Sequence, residues 1–143
     1  MTADLVLRGG RVVDPSQGID GAFDVAFAGG RVAGIGERLD GAEILEVGGA
    51  IVVPGLIDLH THVYWGGTSL GIDAEDFARR SGVTTAVDTG SAGPGNFAGF
   101  RSHVIDRCAV RILAYLHVSF AGIWGFGREV MVGESRDLAL MAP

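Results

Sequence analysis

Hydrophobic and polar positions along the chain fall into two regimes. Up to about residue 50, short runs of β-branched and aromatic residues alternate with glycine pairs. Beyond that point, apolar runs of strand length alternate with segments whose apolar residues recur every three or four positions. The first regime is the period of extended chain and the second switches between strand and helix periods.

In the first regime Leu5-Val-Leu-Arg-Gly-Gly-Arg-Val-Val13 is echoed by Val25-Ala-Phe-Ala-Gly-Gly-Arg-Val-Ala33. Each predicts a hairpin, because a Gly-Gly pair readily takes the positive φ angles of a two-residue primed turn. Asp14-Pro15-Ser16 with Asp20-Gly21 supplies the longer connection between the two. A further strand over Glu43–Val47 ends at Gly48-Gly49, so residues 1–53 are expected to form a small, mostly antiparallel β layer.

In the second regime Ile51-Val-Val-Pro-Gly-Leu-Ile-Asp-Leu-His-Thr-His-Val63 reads as one strand, with Pro54 at its start or at a kink because proline cannot donate to a central ladder. Asp73 and Gly82 bracket a short helix as N-cap and terminating glycine. Val83–Thr89 is β-rich and Gly90–Gly95 is a loop. Asn96 then caps a helix with Phe97, Phe100, Val104, Ile105 and Cys108 on one stripe. Val110–Ser119 is again a strand, and Asp137–Met141 begins a further helix. This βαβαβ spacing implies a parallel sheet over residues 54–143, and the fold class is α/β.

Composition narrows the chemistry. Of 143 residues, 48% are hydrophobic, which describes an ordered domain. Eleven basic against 17 acidic residues give a net charge of −6 without any basic cluster, so nucleic acid and anionic membrane surfaces are not expected partners. The apolar tract Ile112–Gly127 is shorter than the ~20 residues a membrane-spanning helix requires and reads as buried core. All 11 basic residues are arginine. A Schiff base, a P-loop lysine or a carbamylated lysine therefore cannot come from this chain. The one cysteine, Cys108, allows no internal disulfide and no multi-cysteine zinc cluster, and Met1–Gly10 lacks the pattern of an export signal, so a cytoplasmic location is expected.

The candidate chemistry is His60-Thr-His62. On a strand, alternation puts Leu56, Asp58, His60 and His62 on one face, with the two histidine Cα atoms ~6.6 Å apart. Two imidazoles so placed can converge on one cation at Zn–N distances of ~2.0–2.1 Å, whereas on a helix they would diverge. The competing explanation is coincidence of two histidines in a chain that has four.

Context favours the metal. Pro54-Gly-Leu-Ile-Asp-Leu-His-Thr-His62 resembles the entry strand of the amidohydrolase superfamily, where a proline-glycine turn and an aspartate precede a metal-binding His-x-His. The leading Leu-Arg-Gly-Gly-Arg-Val-Val-Asp14 segment resembles the β-sandwich of these enzymes, and Gly82-Val-Thr-Thr-Ala-Val-Asp88 their second barrel strand. Gly66-Gly-Thr68, Asp88-Thr-Gly-Ser-Ala-Gly93 and Asn96-Phe-Ala-Gly-Phe-Arg101 look like the deacetylase branch, a dihydroorotase-like group.

The resemblance implies a small β-sandwich segment over 1–53, then over 54–143 the first βα units of a TIM-type barrel, incomplete at this length. It implies a divalent metal, most often zinc, as one or two ions at the carboxyl ends of the strands, with His60 and His62 as ligands of one ion. It further implies a small-molecule amide or ester substrate, while a homo-oligomer stays open. The pattern's carbamylated lysine, two later histidines and general-base aspartate have no counterparts here, so no catalytic residue is assigned. The chain reads as the first part of a longer hydrolase; the alternative is a non-catalytic binding or assembly module, or an inactive truncated homologue.

Other residues carry two readings each. His117 either points to the barrel mouth or packs as a core histidine. Asp88 either backs the ligands or caps a loop, and Asp58 either orients the ligands or supports the barrel floor. Ser91 and Ser119 follow strand ends and could touch substrate or simply belong to polar loops. Trp65 and Trp124 are expected to close a small apolar cluster, His103 to be solvated and Cys108 to be inert. Gly93-Pro-Gly95-Asn-Phe-Ala98 also matches a dinucleotide-binding fingerprint, but the next strand ends around His117 to Ser119 with no acidic residue there to hold a ribose hydroxyl.

Overall fold

The structure, a computed structural model, describes residues 2–123. The chain divides into two compact units, Met1–Pro54 and Gly55–Pro143.

The first unit is a five-stranded mixed sheet of β1 (Ala3–Asp14), β2 (Ile19–Ala28), β3 (Arg31–Gly36), β4 (Gly41–Glu46) and β5 (Ile51–Val52). β1 pairs antiparallel with β2, and β2 with β3. The expected turn forms at Gly29-Gly30, with φ of 57° and 72°. Its echo at Gly9-Gly10 does not turn; β1 runs through it for 12 residues. There the register slips between Leu7 and Gly10, Gly9 takes a φ of 75°, and its N–H donates to the Asp24 carboxylate at 3.0 Å. The glycine supplies a bulge in place of a hairpin because both halves of β1 find other partners. β4 lies parallel to Ala3–Arg8 and β5 parallel to Arg11–Val12, so the layer is mixed and not mostly antiparallel. Val6, fully buried, packs with Ala3, Ala26 and Leu39.

The long apolar run around Pro54-Gly55 is likewise not one strand. β5 serves the first sheet, and β6 (Leu56–Thr61) starts the second. Proline has no N–H to contribute to either ladder, so the ladders end on either side of it.

The second unit continues with α1 (Ala74–Ser81), β7 (Val83–Thr89), α2 (Phe97–His103), a 3-10 turn at Ile105–Arg107, and β8 (Arg111–Tyr115). Its three strands are parallel in the order β6-β7-β8. α1 forms as its caps dictate: Asp73 Oδ1 accepts the N–H groups of Glu75 and Asp76, each at 2.9 Å, and Gly82 ends the helix in the left-handed region. α2 is shorter than its apolar stripe predicts, since the adjacent β-branched Val104 and Ile105 favour leaving the α-helix. The stripe nonetheless packs inward. Phe97, Val104, Ile105 and Cys108 cover a core of Val63, Ala74, Ala86, Ala92, Phe100 and Ile112. Phe100 stacks on Tyr64 with ring centres 4.6 Å apart.

β8 stops at Tyr115, so His117 and Ser119 lie in the loop beyond it and not on the strand. Trp65 is 64% exposed and closes no cluster; Tyr64, its neighbour, fills that role. Ile57 and Leu59 on β6, and Leu113 and Tyr115 on β8, remain exposed at the two edges of this sheet. Among the described residues no helix is long and apolar enough to cross a membrane. Trp124, the end of the Ile112–Gly127 tract and the helix expected at Asp137–Met141 lie outside the described residues.

Candidate metal centre

His60 is the penultimate residue of β6 and His62 the first residue after it, at the carboxyl end of the first parallel strand. The strand is irregular there. Asp58 pairs with Ala86 and Thr61 with Asp88, so three steps on β6 span two on β7. Asp58 supports this bulge by accepting the His60 N–H at 3.0 Å, an aspartate-to-backbone contact two residues on. Thr61 closes the pairing again through its hydroxyl, which donates to the Val87 carbonyl at 2.9 Å.

The two imidazole rings sit 5.7 Å apart between centres and are inclined at 79°. Two imidazoles sharing a tetrahedral zinc at ~2.0–2.1 Å would have centres about 5 Å apart, so this donor pair fits such an ion. His60 is exposed, and its ring makes no hydrogen bond among the described residues. His62 is half-buried, and its Nδ1 lies 3.0 Å from Ser91 Oγ. A bond at Nδ1 leaves Nε2 as the ring atom free for coordination. Among the described residues no cluster of three or more histidine, cysteine or carboxylate side chains could complete a metal site.

Asp88 is fully buried and caps the loop after β7: Oδ1 accepts the N–H groups of Gly90 at 3.1 Å and Ser91 at 2.7 Å. Its other oxygen accepts the Val63 N–H at 2.8 Å. The loop-capping reading of Asp88 therefore holds, with a reach toward His62 that sequence spacing does not reveal. Ser91, fully buried, contacts a histidine ring and belongs to no solvated loop surface.

His117 does not join the pair. Its Nδ1 accepts the Ser119 N–H at 2.9 Å, which directs the ring proton of the neutral form to Nε2. His103 is exposed, as expected. Cys108 is partly covered by the apolar cluster, and burial pushes its thiol pKa up, away from a reactive thiolate.

The dinucleotide reading of Gly93–Ala98 fails on hydrogen bonding. The Gly93 N–H donates to Asn96 Oδ1 at 2.9 Å and the Gly95 N–H to the Phe120 carbonyl at 2.8 Å, so these amides do not face a phosphate. Asn96 does not cap α2 with its side chain; its amide also donates to the Ala121 carbonyl at 3.0 Å, tying two loops together.

No family model matches the chain. It is 38% identical over 96 residues to a deacetylase of Agrobacterium fabrum, covering 67% of this chain and 24% of that one. Over 63 residues it is 49% identical to a dihydroorotase of Geobacter sp. (strain M21), covering 42% of this chain and 15% of that one. The chain thus spans about a quarter or less of the length of these curated relatives. Its fold matches a crystal structure of a dihydroorotase with a TM-score of 0.75 at 35% identity, over 85% of this chain and 32% of that one. An adenine deaminase shares the fold with a TM-score of 0.64 at 21% identity, over 86% of this chain and 33% of that one. The chain belongs to the amidohydrolase superfamily, in the branch of its deacetylase and dihydroorotase relatives, and its partial coverage fits the N-terminal portion of such enzymes.

Proposed function

We propose that this chain supplies part of the metal site of a metal-dependent, deacetylase-like amidohydrolase that cleaves an amide or ester bond in a small molecule. The observation that carries the reading is the closeness of the His60 and His62 rings at the carboxyl end of β6, 5.7 Å apart between centres, with His62 held at Nδ1 and therefore free at Nε2. Parallel β6, β7 and β8 with α1 and α2 are the first units of a TIM-type barrel in this reading, whose metal chemistry belongs at that end of the strands.

The donor set suits zinc, since imidazole nitrogen is among its preferred ligands. When bound, such an ion supplies Lewis-acid polarisation of a carbonyl and lowers the pKa of a coordinated water toward ~7. His60 and His62 hold the ion. Asp58 shapes the bulge that aims His60, and Asp88 fixes the backbone around His62. The remaining ligands and the general base belong, on this reading, to the three quarters of the deacetylase relative that the chain does not cover.

The test is metal content and hydrolysis in the same preparations. In the complete enzyme, His60→Ala and His62→Ala should each strip zinc and lower hydrolysis of N-acyl amino acids by more than about 100-fold relative to the unsubstituted enzyme, as loss of a zinc ligand demands. Full zinc occupancy in both variants would overturn the reading. Metal binding without any hydrolysis would favour the non-catalytic module.

A further inference from the structure

The sequence keeps His62 well apart from Asp88 and Ser91, but the fold makes the three one hydrogen-bonded unit. One carboxylate holds both sides: Asp88 Oδ2 binds the backbone N–H of the residue after His62, and Oδ1 binds the backbone N–H of Ser91 itself. The 3.0 Å separation of Ser91 Oγ from His62 Nδ1 is therefore set by a single planar group that is fully buried.

The Ser91 loop is fixed from the far side as well. The Ala92 carbonyl accepts the His117 N–H at 2.9 Å and the Gly90 carbonyl the Ile123 N–H at 3.0 Å. At Gly93 a Cβ would collide with the Ser119 carbonyl oxygen, so the two loops meet backbone to backbone. Ser91 is fully buried, and its hydroxyl faces the His62 ring.

We propose that Ser91, anchored by Asp88, is a positioning residue for His62: its hydroxyl oxygen takes the Nδ1 proton, fixes the rotation of the ring and presents the Nε2 lone pair to the cation. The inference rests on the reading of His60 and His62 as ligands. An orienting partner at the second ring nitrogen both selects the tautomer and raises ligand basicity, and its loss typically costs about 10–100-fold in metal affinity.

Two measurements test this in the full-chain protein. The first is the ring ¹⁵N NMR pattern of His62 in the unsubstituted, metal-free protein at pH 8. The Nδ1-protonated tautomer is expected, and the Nε2-protonated tautomer would overturn the proposal. The second is competition between the protein and a chelator for zinc alone, compared across the parent, Ser91→Ala and His62→Ala. Ser91→Ala should weaken zinc binding about 10–100-fold and mix the tautomers while the melting temperature stays close to that of the parent. Parent-like zinc affinity in Ser91→Ala, with binding lost in His62→Ala, would overturn the role of Ser91 and leave the ligand assignment standing. Parent-like affinity in His62→Ala as well would overturn the ligand assignment itself.

Discussion

Asp88 accepts the backbone N–H of Val63, two residues past the end of β6, at 2.8 Å, and this bond ties the end of β6 to the start of the loop after β7. The carboxylate is fully buried and takes two further N–H groups, from Gly90 and Ser91. Asp88→Ala strands three buried donors at about 1–3 kcal/mol each, so a loss of at least ~3 kcal/mol is expected in denaturant unfolding. Asp88→Asn keeps one acceptor oxygen and should cost less.

Among the described residues Phe100 is the largest fully buried side chain, stacked on Tyr64 and in edge contact with Phe97 at 6.3 Å. Its removal leaves a cavity between α2 and the sheet. Phe100→Ala should cost about 3–5 kcal/mol, and Phe100→Leu distinctly less. Chemical denaturation of the two variants checks the order.

Gly93 is where the loops after β7 and β8 touch through their backbones, with no space for a methyl group. Gly93→Ala must push the Ser119 carbonyl away and should lower the melting temperature by several degrees, on the order of 1–3 kcal/mol as overpacking does. At Gly34 in β3 a Cβ meets open space and φ is not positive. Gly34→Ala should leave the melting temperature unchanged or raise it slightly.

The acid limb of stability has a defined source in the first unit. The Asp14 carboxylate accepts bonds from the Ser16 hydroxyl at 2.6 Å and the Gln17 amide at 2.6 Å, and these hold its pKa below the usual carboxylate range. Asp20 is likewise lowered by its hydrogen bonds from the Arg11 guanidinium, at 2.7 and 2.8 Å. A lowered pKa means the unfolded chain binds the proton first. The stabilisation is thus complete above about pH 4, where an unfolded carboxylate ionises, and is lost as pH falls through the lower folded value. The difference in melting temperature between the parent and Asp14→Asn should be constant at neutral pH and shrink below about pH 4.

How much of this was legible in the sequence depended on how local its cause was. α1 was legible because Asp73 and Gly82 act within one turn of themselves. The Gly29-Gly30 turn is legible for the same reason, whereas the identical dipeptide at Gly9-Gly10 forms a bulge where its sequence predicts a turn. Its fate is decided by Asp24, β4 and β5, which are distant in sequence. The histidine pair was legible from spacing and context. The bulge that Asp58 supports and the Ser91 contact were not, since both depend on the register of β6 against β7. Ser91 had one visible signal, its place just beyond the end of a strand parallel to the one ending in the histidines. Strand parity does not place His117, because β8 ends at Tyr115 and parity carries no meaning past a strand end.

Whether the His60 and His62 imidazoles grip one divalent ion is decided by zinc-edge anomalous diffraction from crystals of the protein grown with zinc. One strong peak is expected about 2.0–2.1 Å from a nitrogen of each ring, with Ser91 Oγ still against His62 Nδ1. A peak bound to neither ring, or rings turned apart with no peak between them, would contradict it.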